Sequence, residues 1–298
     1  MLIYDASGKK LTPIKTKPFL EKEIQGITEN NLEIILGLEF IGSEFSVGEF
    51  RIDTIAYDTE AKSFVLIEYK KHQSFSIIDQ GYAYLSTMLN HKAEFVLFYN
   101  HRKGKSLGKN DFDWSQSRVI FISPTFTVFQ REAANFQDLP LELLEAHLYS
   151  NGTISYSKLI QHKSTASVKT VSKPSNIIAE VSAEIKVYTE EKLLDGVCDE
   201  IREAYFSIKD TIYEINPNVD RRIKKSMACF YSEGKGLVWI KPTKKSITLW
   251  LRKGSYKDKS GKLIPEGWGK YPELRLSHKD IDLQYIRDLI RQANEIDL

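Results

Sequence analysis

The chain has 298 residues, long for one ordinary domain and about right for two. Hydrophobic residues make up 42% and charged residues 28%, enough for a core in each half, and the formal net charge of +2 excludes a generic polycation. The charge is uneven: 17 Lys and Arg face 20 Asp and Glu up to residue 160, and 25 face 20 beyond it. An excess in the C-terminal half suits a polyanionic partner, although a mixed solvated surface accounts for it almost as well.

In chain order, Pro13 and Pro18 lead into a helical pattern from Phe19 to Leu36, interrupted at Gly26 and at Asn30-Asn31. Two β patterns follow, Phe50 to Tyr57 and Ser63 to Lys70, joined by a polar link that predicts a hairpin. A helix is expected over 75–91, then strands over 94–100 and 118–123 with a Gly/Lys-rich loop between them. The Leu-rich stretch 139–149 reads as a helix, and a short segment, 153–160, closes the half. Residues 162–176 have linker chemistry, rich in Ser, Thr and Lys. Beyond them come a helix over 183–209, strands around 228–232, 237–242 and 247–254, and a closing helix over 279–296. This predicts a domain over 1–160, a linker over 161–182 and an α+β domain over 183–298.

Cys198 and Cys229 form no CxxC pattern, which speaks against a zinc knuckle or a disulfide framework. The first residues lack the apolar core of a signal peptide, and no run approaches the roughly 18–20 apolar residues of a membrane span. A cytoplasmic protein is expected.

The chemistry concentrates in Arg51-Ile52-Asp53 and, after 14 intervening residues, Glu68-Tyr69-Lys70. Side chains alternate along a strand, so Glu68 and Lys70 share one face, and the hairpin can bring Asp53 opposite Glu68. Two carboxylates suit a hard divalent cation such as Mg²⁺ or Mn²⁺, which polarises a phosphoryl oxygen and lowers the pKa of bound water. Asp53 and Glu68 are then ligands, with the Tyr69 carbonyl as a third, and Lys70 is the catalytic cation. The bare pattern is equally that of a solvated strand face. The apolar run Phe64 to Ile67 argues otherwise, because charges abutting a buried strand are costly unless paired or metal-bound.

The stretch from Leu20 to Lys71 resembles the PD-(D/E)XK nuclease superfamily, in particular its NucS-like endonuclease branch. The matching residues are a helix acid at Glu21 (Glu23 lies two positions away), Arg51 with Asp53, Glu68 with Lys70, and Gln80 with Tyr84 on the next helix. Phe50 stands where that branch usually has Gly. The resemblance covers about residues 19–100. It implies a mixed α/β, restriction-endonuclease-like αβββαβ core, dependence on Mg²⁺ or Mn²⁺, and hydrolysis of phosphodiester bonds, with DNA as substrate. It also implies that Gln80 and Tyr84 face the site; without it they are as well read as a packing pair. Arg51 shares the parity of Asp53 and suits either a phosphate contact or a salt bridge with Glu21. Lys71 is a weaker contact candidate, and His72 reads as a surface residue.

The helical stretch 193–208, the strand patterns 227–232 and 236–254 and the segment 267–293 carry a second resemblance: residues from about 185 onward resemble an uncharacterised C-terminal domain often attached to such nuclease-like domains. There the sequence interleaves Trp239, Lys241, Lys244, Lys245, Trp250, Arg252, Lys253, Trp268 and Lys270, as a nucleic-acid surface would, with bases on aromatics and phosphates on cations. Trp239 and Trp250 sit in strand patterns and read better as core. Trp268, in a Gly-flanked loop, is the exposed contact, with Arg252 and Lys253 beside it. Arg221, Arg222, Lys224 and Lys225 form a second basic cluster that reads better as surface. The rival to a nuclease is a non-catalytic nucleic-acid-binding or protein-interaction module on the same fold. A protein partner or a homodimer formed through the C-terminal domain is compatible with either.

Overall fold

The computed structural model describes residues 3–71, 77–133, 139–159 and 176–296. His72 and most of the expected linker lie outside these. The chain divides into two compact units, residues 1–187 and 188–298.

The first unit opens with a short hairpin, β1 (Tyr4–Asp5) and β2 (Thr12–Pro13). The expected N-terminal helix is two: α1 (Glu21–Asn30) and α2 (Leu32–Leu36), broken at Asn31, and α2 stops at Gly37 in the left-handed region. Three antiparallel strands follow: β3 (Glu39–Val47), β4 (Phe50–Asp58) and β5 (Ser63–Tyr69). Then come α3 (Ile77–Asn90), α4 (Lys92–Lys103), β6 (Arg118–Ser123), α5 (Val128–Ala133), β7 (Leu141–Leu148), β8 (Ile154–Lys158) and α6 (Asn176–Glu184). Strands β3 to β8 form one sheet in the order β3-β4-β5-β6-β7-β8. β5, β6 and β7 run parallel and the rest antiparallel, so the sheet is mixed.

Both faces of the sheet are covered, as parallel strands require. Phe64 and Leu66 of β5 pack on the side of α3 and α4 with Leu85, Met88 and Phe95. Val65, Ile67 and Tyr69 pack on the other side with Ile24 and Leu32. Helices, three strands, helices and a parallel strand make the restriction-endonuclease-like α/β core, with the helical layers doubled.

Three expectations for this unit are corrected. Residues 94–100 form helix α4, not a strand: Phe95, Val96 and Tyr99 are buried while Leu97 is 68% exposed, a helical spacing that an apolar, aromatic run disguises. Residues 139–149 contain strand β7, not a helix. Its Leu and Glu favour helix locally, but Leu141 and Leu143 enter one core and Leu144, Ala146 and Leu148 the other, and pairing with β6 overrides propensity. The region 161–182 is not wholly linker, since α6 begins at Asn176 and Val181 is buried in the first unit's core. Strand β3 is the third strand that the resemblance implies, but its residues were not recognised as a strand in the sequence. A register shift between Phe40 and Gly42 breaks its alternation, and a Cβ at Gly42 would lie 2.5 Å from the Phe98 ring of α4.

The second unit comprises α7 (Glu190–Leu193), α8 (Asp199–Ile215), strands β9 (Asp220–Ile223), β10 (Ala228–Ser232), β11 (Lys235–Pro242), β12 (Ser246–Leu251) and β13 (Glu273–Ser277), and α9 (Leu283–Glu295). The expected helix over 183–209 is thus shared out among α6, α7 and α8. The antiparallel sheet has the order β13-β12-β11-β10-β9. Ile201, Tyr205, Ile208 and Ile212 of α8, with Ile286, Leu289 and Ile290 of α9, cover one face of it. The two helices thus bury one apolar stripe each.

Candidate active site

The site lies where the β4–β5 ladder ends. Ile55 pairs with Leu66 and Thr54 with Ile67. At the next position the side chain of Asp53 replaces a backbone acceptor: its Oδ2 accepts the Tyr69 N–H at 3.0 Å. Ile55 and Tyr57 on β4, like Phe64 and Leu66 on β5, face α3, so alternation turns Asp53 and Glu68 toward that helix.

Glu68 is buried, 5% exposed, and three side chains satisfy it. Its Oε1 accepts from Lys70 Nζ at 2.7 Å and from Gln80 Nε2 at 2.9 Å; its Oε2 accepts from the Tyr84 hydroxyl at 3.0 Å. Gln80 and Tyr84, one turn apart on α3, also meet each other at 2.8 Å. Helix spacing and strand parity therefore converge on one carboxylate. Burial pushes the Tyr84 hydroxyl well above its usual range, with the Glu68 charge adding to it, so it stays protonated as a donor.

Asp53 is in a different state. Burial pushes its carboxyl up to about 6, the charge of Glu68 pushes the same way, and the Tyr69 N–H, Lys70 and Lys22 only partly offset this. Two carboxylates thus share a partly desolvated place with one close ammonium. The described residues hold no group of three or more His, Cys, Asp or Glu side chains arranged for a metal ion. Two carboxylate oxygens with a surplus of negative charge nevertheless fit Mg²⁺ or Mn²⁺, which take few protein ligands and keep several waters.

Around this centre the structure rearranges the expected partners. Arg51 Nε pairs with Glu44 at 2.6 Å rather than with Glu21. Glu21 instead accepts the backbone N–H of Lys71 at 2.5 Å, which ties the start of α1 to the end of β5. The Tyr69 ring turns to the face opposite Glu68 and is buried there. The exposed Lys71 stands at the margin of the site.

Four residues near the site escaped the sequence reading. Gln25, 6% exposed, donates to the Asp53 carbonyl at 3.0 Å and to Glu29 at 2.9 Å. Glu29 also accepts from Thr54 and Ser43, at 2.5 and 2.8 Å. Lys22 pairs with Glu44, which adopts a positive φ of 54°. The signal was the spacing of Lys22, Gln25 and Glu29, one stripe of α1 that an amphipathic reading assigns to solvent.

In the second unit, Trp239 and Trp250 are buried, 1% and 6% exposed, and Trp268 is 44% exposed. Lys253 is exposed, its Nζ 4.7 Å from the Tyr271 ring. Arg252 is corrected as a nucleic-acid contact. It is 6% exposed and donates to the carbonyls of Gly236, Ser232 and Ile296, so its guanidinium is a structural cross-link. Of the basic cluster, Arg221 pairs with Glu190 and Arg222 with Asp220.

Fold and site together define a mixed α/β protein, with an acidic pair and a lysine on one sheet face of its first unit and an α+β fold in its second. No family model matches the chain. It is 39% identical over 252 residues to an uncharacterized protein of Haemophilus influenzae, covering 84% of this chain and 83% of that one. The chain belongs to the family of that protein. Among solved structures it is similar to a repair endonuclease from Pyrococcus abyssi, with a TM-score of 0.25, 16% identity and coverage of 44% of this chain and 48% of that one. It is also similar to EndoMS in a complex with double-stranded DNA, with a TM-score of 0.24, 16% identity and coverage of 45% and 50%. Similarity to Pyrococcus furiosus SfsA in complex with Ca²⁺ has a TM-score of 0.27 and 16% identity, covering 53% and 75%. The chain spans about half the length of the first two. No helix among the described residues is long and apolar enough to cross a membrane.

Proposed function

We propose that the first unit is a metal-dependent nuclease of the PD-(D/E)XK type, close to the NucS-like branch, that hydrolyses phosphodiester bonds in DNA. The observation that carries this reading is the convergence of Lys70, Gln80 and Tyr84 on Glu68 beside Asp53. A surface ion pair needs no such scaffold, and buried carboxylates are retained at a cost.

Asp53 and Glu68, with the Tyr69 carbonyl, are the residues that would hold Mg²⁺ or Mn²⁺. Bound there, such an ion supplies Lewis acidity toward a phosphoryl oxygen and acidifies water. Gln80 and Tyr84 fix the rotamer of Glu68, so its oxygens need not reorganise during the reaction. Lys70 places a positive charge where negative charge develops on the phosphate. Glu21 holds the chain just past Lys70 through the Lys71 N–H. Arg51, Lys22 and Lys71 offer cations for flanking phosphates, which position the strand without reading sequence.

The test is cleavage of plasmid and oligonucleotide DNA by the full chain with Mg²⁺ or Mn²⁺. Glu68→Ala and Lys70→Ala should abolish it, and equal cleavage by the variants would remove the assignment. The alternative is a non-catalytic binding module. It is favoured if calorimetry finds no Mn²⁺ binding that depends on Asp53 and Glu68.

A further inference from the structure

The sheet of the second unit has two unlike faces. Val238, Ile240, Leu249 and Leu274 pack under α8 and α9. The alternate positions point the other way, where Tyr231, Trp239 and Trp250 form a separate aromatic cluster with Tyr271 packed against it. The rings climb from the buried Trp239 through Tyr271, 4.6 Å away, to Trp268, whose ring lies 5.5 Å from Trp250 and nearly parallel to Tyr271 at 29°. Only Trp268 at the top is substantially exposed among these tryptophans.

That exposure is held in place. Glu273 is 1% exposed, and its Oε2 accepts from Trp250 Nε1 at 2.7 Å and from the Trp268 backbone N–H at 3.2 Å. Its other oxygen takes the Arg275 guanidinium. Gly269 and Lys270 both sit at positive φ in the turn that follows Trp268. The backbone that carries this large apolar ring is thus anchored, at a place where burial of the ring would otherwise be favourable. Cations rim it. Lys253 lies over Tyr271, Lys270 is exposed two positions along, and the Arg275 side chain is 70% exposed. The acid at the centre, Glu273, is turned inward and internally satisfied.

We propose that this aromatic platform is a nucleic-acid site in which an unpaired base stacks on Trp268 while Lys253 and Lys270 meet the adjoining phosphates. The chemistry is that of single-stranded binding surfaces, where stacking is sequence-tolerant and the backbone is met by positive charge. Charge favours a polyanion, since a phosphate backbone complements the flanking lysines at every nucleotide while the bases meet the ring. A duplex hides its base faces, so unpaired strands are preferred. The site shares with the proposed nuclease only the class of its partner and does not require cleavage.

The experiment is fluorescence anisotropy of a labelled oligothymidylate of about 20 nucleotides with the full chain in EDTA. Trp268→Ala should weaken binding about tenfold or more, and Trp268→Phe should retain most of it. Lys253→Gln with Lys270→Gln should flatten the log–log salt dependence by about 0.7 for each phosphate no longer neutralised. Inorganic polyphosphate, which has no bases, should not distinguish Trp268→Ala from wild type. Wild-type affinity in a folded Trp268→Ala variant overturns the proposal. So does an equal loss toward polyphosphate, or unchanged DNA binding with altered self-association. With metal chelated, failure of the nuclease reading is scored separately, by the cleavage test on Glu68→Ala.

Discussion

The Asp53 carboxylate accepts the Tyr69 amide N–H at 3.0 Å at the point where the β4–β5 ladder gives out. One bond therefore ends the hairpin pairing and sets the distance between the two acids. Because Tyr69 lies between Glu68 and Lys70, fixing its amide also fixes the strand segment on which both charged side chains sit. Gln25 grips Asp53 from the other side through its carbonyl.

A divalent cation should therefore stabilise the protein. Mn²⁺ at about 100 times its dissociation constant stabilises a single-site protein by about 2.7 kcal/mol. Asp53→Asn and Glu68→Gln should lose most of that gain in a thermal melt. Without metal, Asp53→Asn should melt no lower than wild type, because it removes one of two crowded charges and keeps an acceptor for Tyr69. Equal Mn²⁺ stabilisation of all three proteins would mean that the ion binds elsewhere.

Tyr84→Phe and Gln80→Met test the scaffold around Glu68. Each removes a donor to the carboxylate without touching the acids. Outer partners of this kind typically contribute about 10–100-fold to metal affinity or activity. Cleavage kinetics should show that loss mainly in kcat, with KM for DNA little changed. Wild-type rates in both variants would show that Glu68 needs no such positioning.

Arg252→Met separates structure from binding. Three carbonyls lose a charged donor, a cost of about 2–3 kcal/mol after partial rehydration. Denaturant unfolding of the second unit should shift accordingly. The salt dependence of DNA binding should not change, and a flatter slope would restore Arg252 as a phosphate contact.

Asp258 sets a pH dependence for the same unit. Its carboxylate accepts the N–H groups of Ser260, Gly261 and Leu263 and the hydroxyl of Tyr285, at 2.7 to 3.0 Å. Burial pushes its carboxyl up, but the Tyr285 hydroxyl and the three N–H groups together outweigh that and hold it below the usual range. A depressed folded value gives stability that is present above about pH 4 and is lost as pH falls through the folded value. Asp258→Asn should therefore cost about 1 kcal/mol near neutrality. The gap to wild type should close in strong acid, and a constant gap would assign the effect to packing instead.

Much of the site was legible beforehand because it rests on local periodicities. Alternation put Glu68 and Lys70 on one strand face, and four-residue spacing put Gln80 and Tyr84 on one helix face. Elements whose residue types suit helix and strand alike were not legible. Residues 94–100 and 141–148 are apolar enough to suit helix or strand, and only their neighbours decide between them. Arg252 looked like a surface cation because its charge is visible in the sequence while the three carbonyls that bury it come from distant segments.

By itself, then, the order of residues put Glu68 and Lys70 on one strand face and Gln80 and Tyr84 on one helix face, since strand and helix geometry repeat over two and about four residues, while only the resemblance implied that the helix pair faces the acids. It determined too that Trp268 differs from Trp239 and Trp250, because only the last two stand in alternating strands. The tertiary structure alone decided who meets whom across the chain: Arg51 with Glu44 and not Glu21, Gln25 with the Asp53 carbonyl, Glu273 with the Trp268 N–H. Those contacts join residues from 5 to 28 positions apart with no shared periodicity, and only the packing of layers brings them together.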